Sequence, residues 1–294
     1  MFRKARLFMS KWLNVDLSES CLSDVKCWEG LRNNPAIHRS IPLPPSNSTP
    51  AKSMRVAAGL SVYARALAKH IMRPTYILRD DEALEAFAEL TKHDPEQEAF
   101  VRSVLLKAFP NRQVLAREAL VKMVVADVVE ALGWLVPSTQ REHFQDGLKG
   151  VTGNIANGWS HTQVLEEAVR PSFVLDYTQE WTALPRLPGL GATTQKAKQQ
   201  QQQQQESGSQ EQEADGEVAR PVWPSLICYD PEHDMEALLH HGYGLTESQM
   251  SHAIEECSRR TQRQAARQAG PAPRKRRDSA VFLSSNGLGQ LNGG

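Results

Sequence analysis

From Leu120 to Leu132 the chain is apolar at every position except Lys122, Asp127 and Glu130. A helix that is apolar nearly all round has to be enclosed on most of its faces. The chain therefore needs several neighbouring helices, and the flanking sequence supplies them.

Upstream, Val56, Leu60, Tyr63, Leu67 and Ile71 recur at helical spacing, and that helix is expected to end at Arg73, before Pro74. A short helix carrying Leu84, Phe87 and Leu90 follows the acidic start Asp80-Asp81-Glu82. Asp94 can cap the free N–H groups of the next helix, and Pro95 suits its first position, where a missing N–H costs nothing. Phe100, Val101, Val104, Leu105 and Ala108 are its expected buried stripe, and Pro110 stops it. The apolar helix then runs from about Asn111 to Trp134, as the central one. Thr139-Gln140-Arg141-Glu142 reads as a capping box ahead of Phe144, Leu148, Val151, Ile155 and Trp159. A last helical stretch, Val164 to Trp181, is broken by Pro171. The fold class is mainly α: a bundle of five or six helices over residues 53–189, large enough to fold alone, with a disordered linker and tail.

The flanks are of other kinds. Residues 1–52 read as a basic N-terminal helix and a Pro-rich arm. Arg3, Lys4, Arg6 and Lys11 alternate with Phe2, Leu7, Phe8, Met9, Trp12 and Leu13, and no acid occurs before Asp16. Such a start suits a docking helix, a mitochondrial transit segment or a membrane-surface helix. Ile41 to Pro50 is too rich in proline for a helix and reads as a spacer. Residues 190–219 hold the run Gln199–Gln205 and then Glu206, Glu211, Glu213, Asp215 and Glu217, and are expected to be disordered. Residues 220–263 read as a small appendage. In it Val222–Tyr229 is a short strand, Asp230-Pro231 caps a helix containing Met235, Leu238 and Leu239 that Gly242 closes, and Thr246-Glu247-Ser248-Gln249 is a second capping box. Residues 264–294 read as a basic disordered tail.

Few catalytic patterns are present. The sequence has no Gly-x-x-x-x-Gly-Lys-Ser/Thr loop and no Gly-x-Ser-x-Gly elbow. Four scattered cysteines do not make a disulfide framework, and Cys21 and Cys27 read as free thiols. Cys228, His233, His240, His241, His252 and Cys257 cluster near the C-terminus at irregular gaps that do not suit a tetrahedral zinc site, so neither metal nor cofactor is expected. Asp127 inside an apolar helix needs a partner from another helix, and a structural ion pair is favoured over catalysis. His70 reads as a hydrogen-bonded structural histidine, and Tyr63, His70 and Asp127 are the residues a polar pocket would use.

In the tail, Arg274-Lys275-Arg276-Arg277 resembles a nuclear-import signal. Ser279 follows at a spacing basophilic kinases prefer, and its phosphorylation would set about two negative charges beside four positive ones. Nucleic-acid binding through this run is disfavoured, because no aromatic residues interleave with it. No apolar run approaches the roughly 20 residues of a transmembrane helix, and a secretory signal is not expected.

Ala64–Leu78, Asp94–Phe100, Arg170–Leu175, Glu180-Trp181, Pro224–Ile227, His241–Leu245 and Ser248-Gln249, in that order, make the chain over residues 54–260 resemble a broad group of uncharacterised helical proteins of filamentous fungi. The resemblance implies a fungal origin and a nuclear or cytoplasmic location, and no mechanism. The expectation is a non-enzymatic protein-interaction or regulatory protein with a protein partner. The rivals are a divergent helical enzyme and a mitochondrially targeted protein.

Overall fold

The computed structural model describes residues 1–37, 41–78, 80–175, 181–185, 217–230 and 235–268. It has two compact units, Met1–Cys257 and Ser258–Gly294. Of the second, residues 258–268 are described, as the end of a helix.

The described residues are mainly helical. The helices are α1 Phe2–Leu13, α2 Glu19–Leu22, α3 Val25–Arg32, α4 Thr49–His70, α5 Asp81–His93, α6 Pro95–Ala108, α7 Pro110–Leu132, α8 Arg141–Thr162 and α9 Glu247–Gln268. Six strands accompany them: β1 Val169–Ser172, β2 Trp181–Ala183, β3 Val218–Trp223, β4 Ser225–Asp230, β5 Met235–His240 and β6 Gly242–Thr246. They make two three-stranded sheets, in the orders β1-β4-β5 and β2-β6-β3. The first is antiparallel throughout, and the second joins β2 to β6 in parallel. A bundle of helices alone is therefore not the architecture.

Two expected helical stretches are strands. Val164–Trp181 contributes β1 and β2, and Pro171 sits on the edge strand β1, where a missing N–H is tolerated. The residues from Met235 to His240 form β5, because pairing with β4 outweighs the helix preference of Met, Glu, Ala and Leu. Gly242 closes no helix. It lies in β6, where an added Cβ would run into the Trp181 ring, and Gly244 likewise lies against Val218 and Arg220.

The most enclosed helix is α4, not α7. Nearly every side chain from Met54 to Leu67 is buried, whereas α7 exposes Lys122, Met123 and Glu130. Ala57, Ala58, Gly59, Ala64 and Ala66 make α4 slim, so neighbours can approach on all sides. α4 starts earlier than expected because Ser48 accepts the Ala51 N–H at 3.2 Å and Pro50 sits in the first turn, where it is compatible with helix. It ends at His70 rather than Arg73.

The N-terminal arm is part of this core. α1 buries Phe2, Ala5, Met9 and Leu13 and leaves Arg3, Lys4 and Lys11 exposed. Phe8 and Trp12 each lie 5.5 Å, centroid to centroid, from the ring of Phe144 on α8. Phe2 stacks on Tyr243 of β6 at 3.8 Å. The arm expected to follow the first helix within residues 1–52 holds two further helices, α2 and α3, capped by Ser18 and Asp24. Buried Arg55, 1% exposed, pins this arm: it donates to the carbonyls of Leu13, Val15 and Ser46 at 3.3, 2.6 and 2.7 Å.

Capping follows the sequence in two places and departs from it in one. Asp94 Oδ1 accepts from Gln97 N–H at 2.9 Å. Thr246 and Gln249 cap each other reciprocally, at 3.3 and 3.0 Å. At α8, Ser138–Gln140 is a 3-10 turn and no side chain caps the helix, so Thr139 and Glu142 do not form a box.

The inward face of α6 is the largest departure. Phe100 and Val104 point outward, and the buried residues are Glu98 and Arg102. Arg102 donates to both Glu98 carboxylate oxygens, at 2.9 and 3.1 Å, and to the carbonyls of Gln163, Leu165 and Glu166 at 2.6, 2.5 and 2.8 Å. A guanidinium with its donors engaged can occupy the interior, and it supplies partners to carbonyls that the end of α8 leaves open. The apolar residues on the other side of α6 then face solvent.

The expected linker falls largely at 190–216, outside the described residues, although Val218 and Ala219 at its edge belong to β3. The basic tail from residue 269 also lies outside them, while α9 reaches Gln268.

Candidate functional site

Two features are candidates for function: a polar groove beside α4 and a set of exposed apolar side chains on α6 and the first turns of α7. α3, the turn after it, α4 and α7 enclose the groove, about 770 Å³ in volume. Leu31, Val62, Ala66 and Ala131 contribute its apolar lining, and Arg65, Lys69, Asp127 and Glu130 its charges.

The sequence placed Tyr63, His70 and Asp127 in one pocket, and the fold brings two of them together. His70 Nε2 lies 2.9 Å from Asp127 Oδ2. His70 is 1% exposed, whereas the Asp127 side chain is 40% exposed and opens on the groove. Asp127 is thus not a core carboxylate, because the apolar run of α7 turns this residue toward the groove rather than the interior. Lys69 approaches it more loosely, at 3.7 Å.

Burial holds the His70 pKa below its ordinary value, and the hydrogen bond from Asp127 opposes this only in part. At neutral pH the ring is therefore uncharged, and Nε2–H donates to the carboxylate. Nδ1, buried without a partner, is then a bare lone pair rather than a stranded donor.

Tyr63 points elsewhere. Its hydroxyl lies 3.0 Å from Thr152 Oγ1 on α8, and Thr152 itself donates to Leu148 O at 2.7 Å. The Tyr63 hydroxyl is the donor of that pair. Burial raises its pKa well above the usual range, so the phenol stays protonated.

Cys27 borders the groove, and burial followed by the contact with Asp24 raises its pKa, the reverse of an activated thiol. Cys21 and Cys27 are free thiols. Among the described residues no group of three His, Cys, Asp or Glu is placed to hold a metal ion, and His233 lies outside them. Arg274, Lys275, Arg276, Arg277 and Ser279 also lie outside the described residues. Among the described residues no helix is long and apolar enough to cross a membrane.

The exposed apolar side chains depart from the sequence reading, which takes Phe100 and Val104 for part of a buried stripe and singles out none of Phe109, Val114 and Leu115. Phe100 is 69% and Leu115 65% exposed, and Val104, Phe109 and Val114 are exposed beside them in sequence. One signal was available. Glu98 and Arg102 stand at i and i+4, a spacing at which they can pair on one face of α6.

A second pocket of about 240 Å³ lies between the end of α4, α5 and β1, floored by Met72, Leu84 and Phe87. Its rim cations Lys92 and Arg170 are already paired, with Glu89 at 2.7 Å and with Glu236.

Comparison with protein-family models, with curated proteins and with solved structures gave no match.

Proposed function

We propose that the chain is a non-enzymatic protein-interaction or regulatory protein, and that the outward face of α6 and the first turns of α7 receives an apolar helix of a protein partner. The observation that carries this is the exposure of Phe100 and Leu115, with Val104, Phe109 and Val114, on two consecutive helices. Large apolar side chains grouped on a surface mark interaction sites, and aromatic residues anchor them. The buried Glu98–Arg102 pair supports the reading, because it holds α6 with this face outward.

The rival enzymatic reading has less support. His70 is buried with its Nε2 engaged by Asp127, which leaves the ring no free nitrogen at the groove. The mitochondrial reading has to contend with α1, whose apolar face is in the core. A nuclear or cytoplasmic location and a fungal origin rest on sequence alone, through Arg274–Arg277 and the resemblance over 54–260.

The test is photo-crosslinking from position 115 in cells, followed by binding of the purified crosslinked protein to wild type and Phe100→Asp. Binding lost in Phe100→Asp, with the melting curve unchanged, is the expected result. A defined turnover abolished by one substitution in the helical core would overturn the reading. A C-terminally tagged protein with Arg274, Lys275, Arg276 and Arg277 changed to Ala tests the nuclear part: its signal should leave the nucleus.

A further inference from the structure

The groove between α3, α4 and α7 shares no residue with the α6–α7 face, and its charges are arranged by sign. α4 contributes the cations Arg65 and Lys69, and α7 the carboxylates Asp127 and Glu130. Among the described residues two of these four form no ion pair. Among the described residues neither Arg65 nor Glu130 has a charged partner within salt-bridge distance, although both border the same cavity. Arg65 is held instead over the ring of Phe173, 4.1 Å from its centroid, and its Nε is buried without an acceptor. Asp127 is half used: His70 and Lys69 both address Oδ2, and Oδ1 has no hydrogen bond among the described residues.

A guanidinium without a carboxylate partner on one wall, open carboxylate oxygens on the other and an apolar lining between them make a complementary set. A dianion would be repelled by Asp127 and Glu130, and a dication by Arg65 and Lys69. A molecule with one charge of each sign at its ends and an apolar body satisfies both walls. The volume lies within the roughly 300–1,000 Å³ of small-ligand sites and exceeds what one amino acid fills.

We propose that this groove binds a short zwitterionic peptide, its terminal carboxylate on Arg65 and its terminal ammonium on Asp127 Oδ1 and Glu130. The cation–π contact with Phe173 presets Arg65, so little side-chain freedom is lost on binding.

The test titrates the full-length protein with the tripeptide Ala-Leu-Ala, followed by calorimetry and by amide chemical shifts of α4 and α7. Matching titrations use its N-acetylated form, its C-amidated form and the doubly blocked form. Each single block should weaken binding by about tenfold or more, the usual effect of losing a charged hydrogen bond. Arg65→Gln should abolish the difference between free and amidated peptide. Glu130→Gln, at an exposed position that leaves the fold intact, should shrink the difference between free and acetylated peptide. No shift at α4 and α7 with millimolar free peptide overturns the proposal, and so does equal binding of the free and doubly blocked forms.

Discussion

Arg102 and Glu98 lie one turn apart on the buried face of α6, with Arg102 Nε donating to Glu98 Oε1 at 2.9 Å. The same guanidinium holds the carbonyls of Gln163, Leu165 and Glu166 beyond the end of α8. This pair decides which way α6 faces, and so which apolar residues meet solvent. Arg102→Ala should cost about 3–5 kcal/mol, since it strands a buried carboxylate and three carbonyls. Replacing both members, by Glu98→Leu with Arg102→Met, should cost less than the two single changes added together. Urea unfolding of the four proteins measures both.

Arg55 plays a similar part for the N-terminal segment, with three carbonyl partners and, among the described residues, no carboxylate within salt-bridge distance. Burial brings its pKa down to about 10, so it stays charged at neutral pH. Arg55→Met should destabilise the protein by about 2–3 kcal/mol through the lost charged hydrogen bonds. Amide exchange in α1 should rise more than exchange in α8. Equal change in both helices would mean that Arg55 is not a local clasp.

Gly59 lies where α1 crosses α4. A Cβ there would run into Leu13 Cδ1 and sit 3.5 Å from Met9 Sδ. Alanine favours the helix by roughly 1 kcal/mol over glycine, but overpacking a closed core costs about 1–3 kcal/mol. Gly59→Ala should therefore lower the melting temperature, and Leu13→Ala in the same chain should recover part of the loss.

The burial of His70, opposed only in part by its hydrogen bond to Asp127, makes stability depend on pH. The folded-state pKa of His70 lies below its ordinary value, because burial disfavours the charged ring. The unfolded chain thus takes up this proton first as the pH falls below about 6.5. The contribution is fully present above that value and is lost as the pH falls through the folded pKa, at up to about 1.4 kcal/mol per pH unit. Denaturation midpoints measured between pH 7.5 and 5 should fall, and His70→Gln should flatten that slope.

Helices were legible where the signal is local. Asp94 and the Thr246–Gln249 box cap as their spacing implies, and Phe144, Leu148, Ile155 and Trp159 are buried as their period requires. Elements whose state depends on distant partners were not legible. β5 reads as a helix until β4 is beside it, and the parallel pairing of β2 with β6 joins segments far apart in sequence. Of the site, the His70–Asp127 pair was only half visible, since each residue stood out alone and the antiparallel contact of α4 with α7 brought them together. The face of α6 was misread for a simpler reason. Apolar periodicity says which residues share a side, but a buried ion pair decided which side faces the core.

The orientation of α6 is the claim on which the proposed interaction rests, and comparing Phe100→Asp with Arg102→Ala in urea tests it most directly. With Phe100 outward, Phe100→Asp should change stability by no more than about 0.5 kcal/mol, while Arg102→Ala costs several. Loss of about 3–5 kcal/mol in Phe100→Asp, the cost of emptying a core phenylalanine site, with little change in Arg102→Ala, would place the apolar face inside and contradict the account.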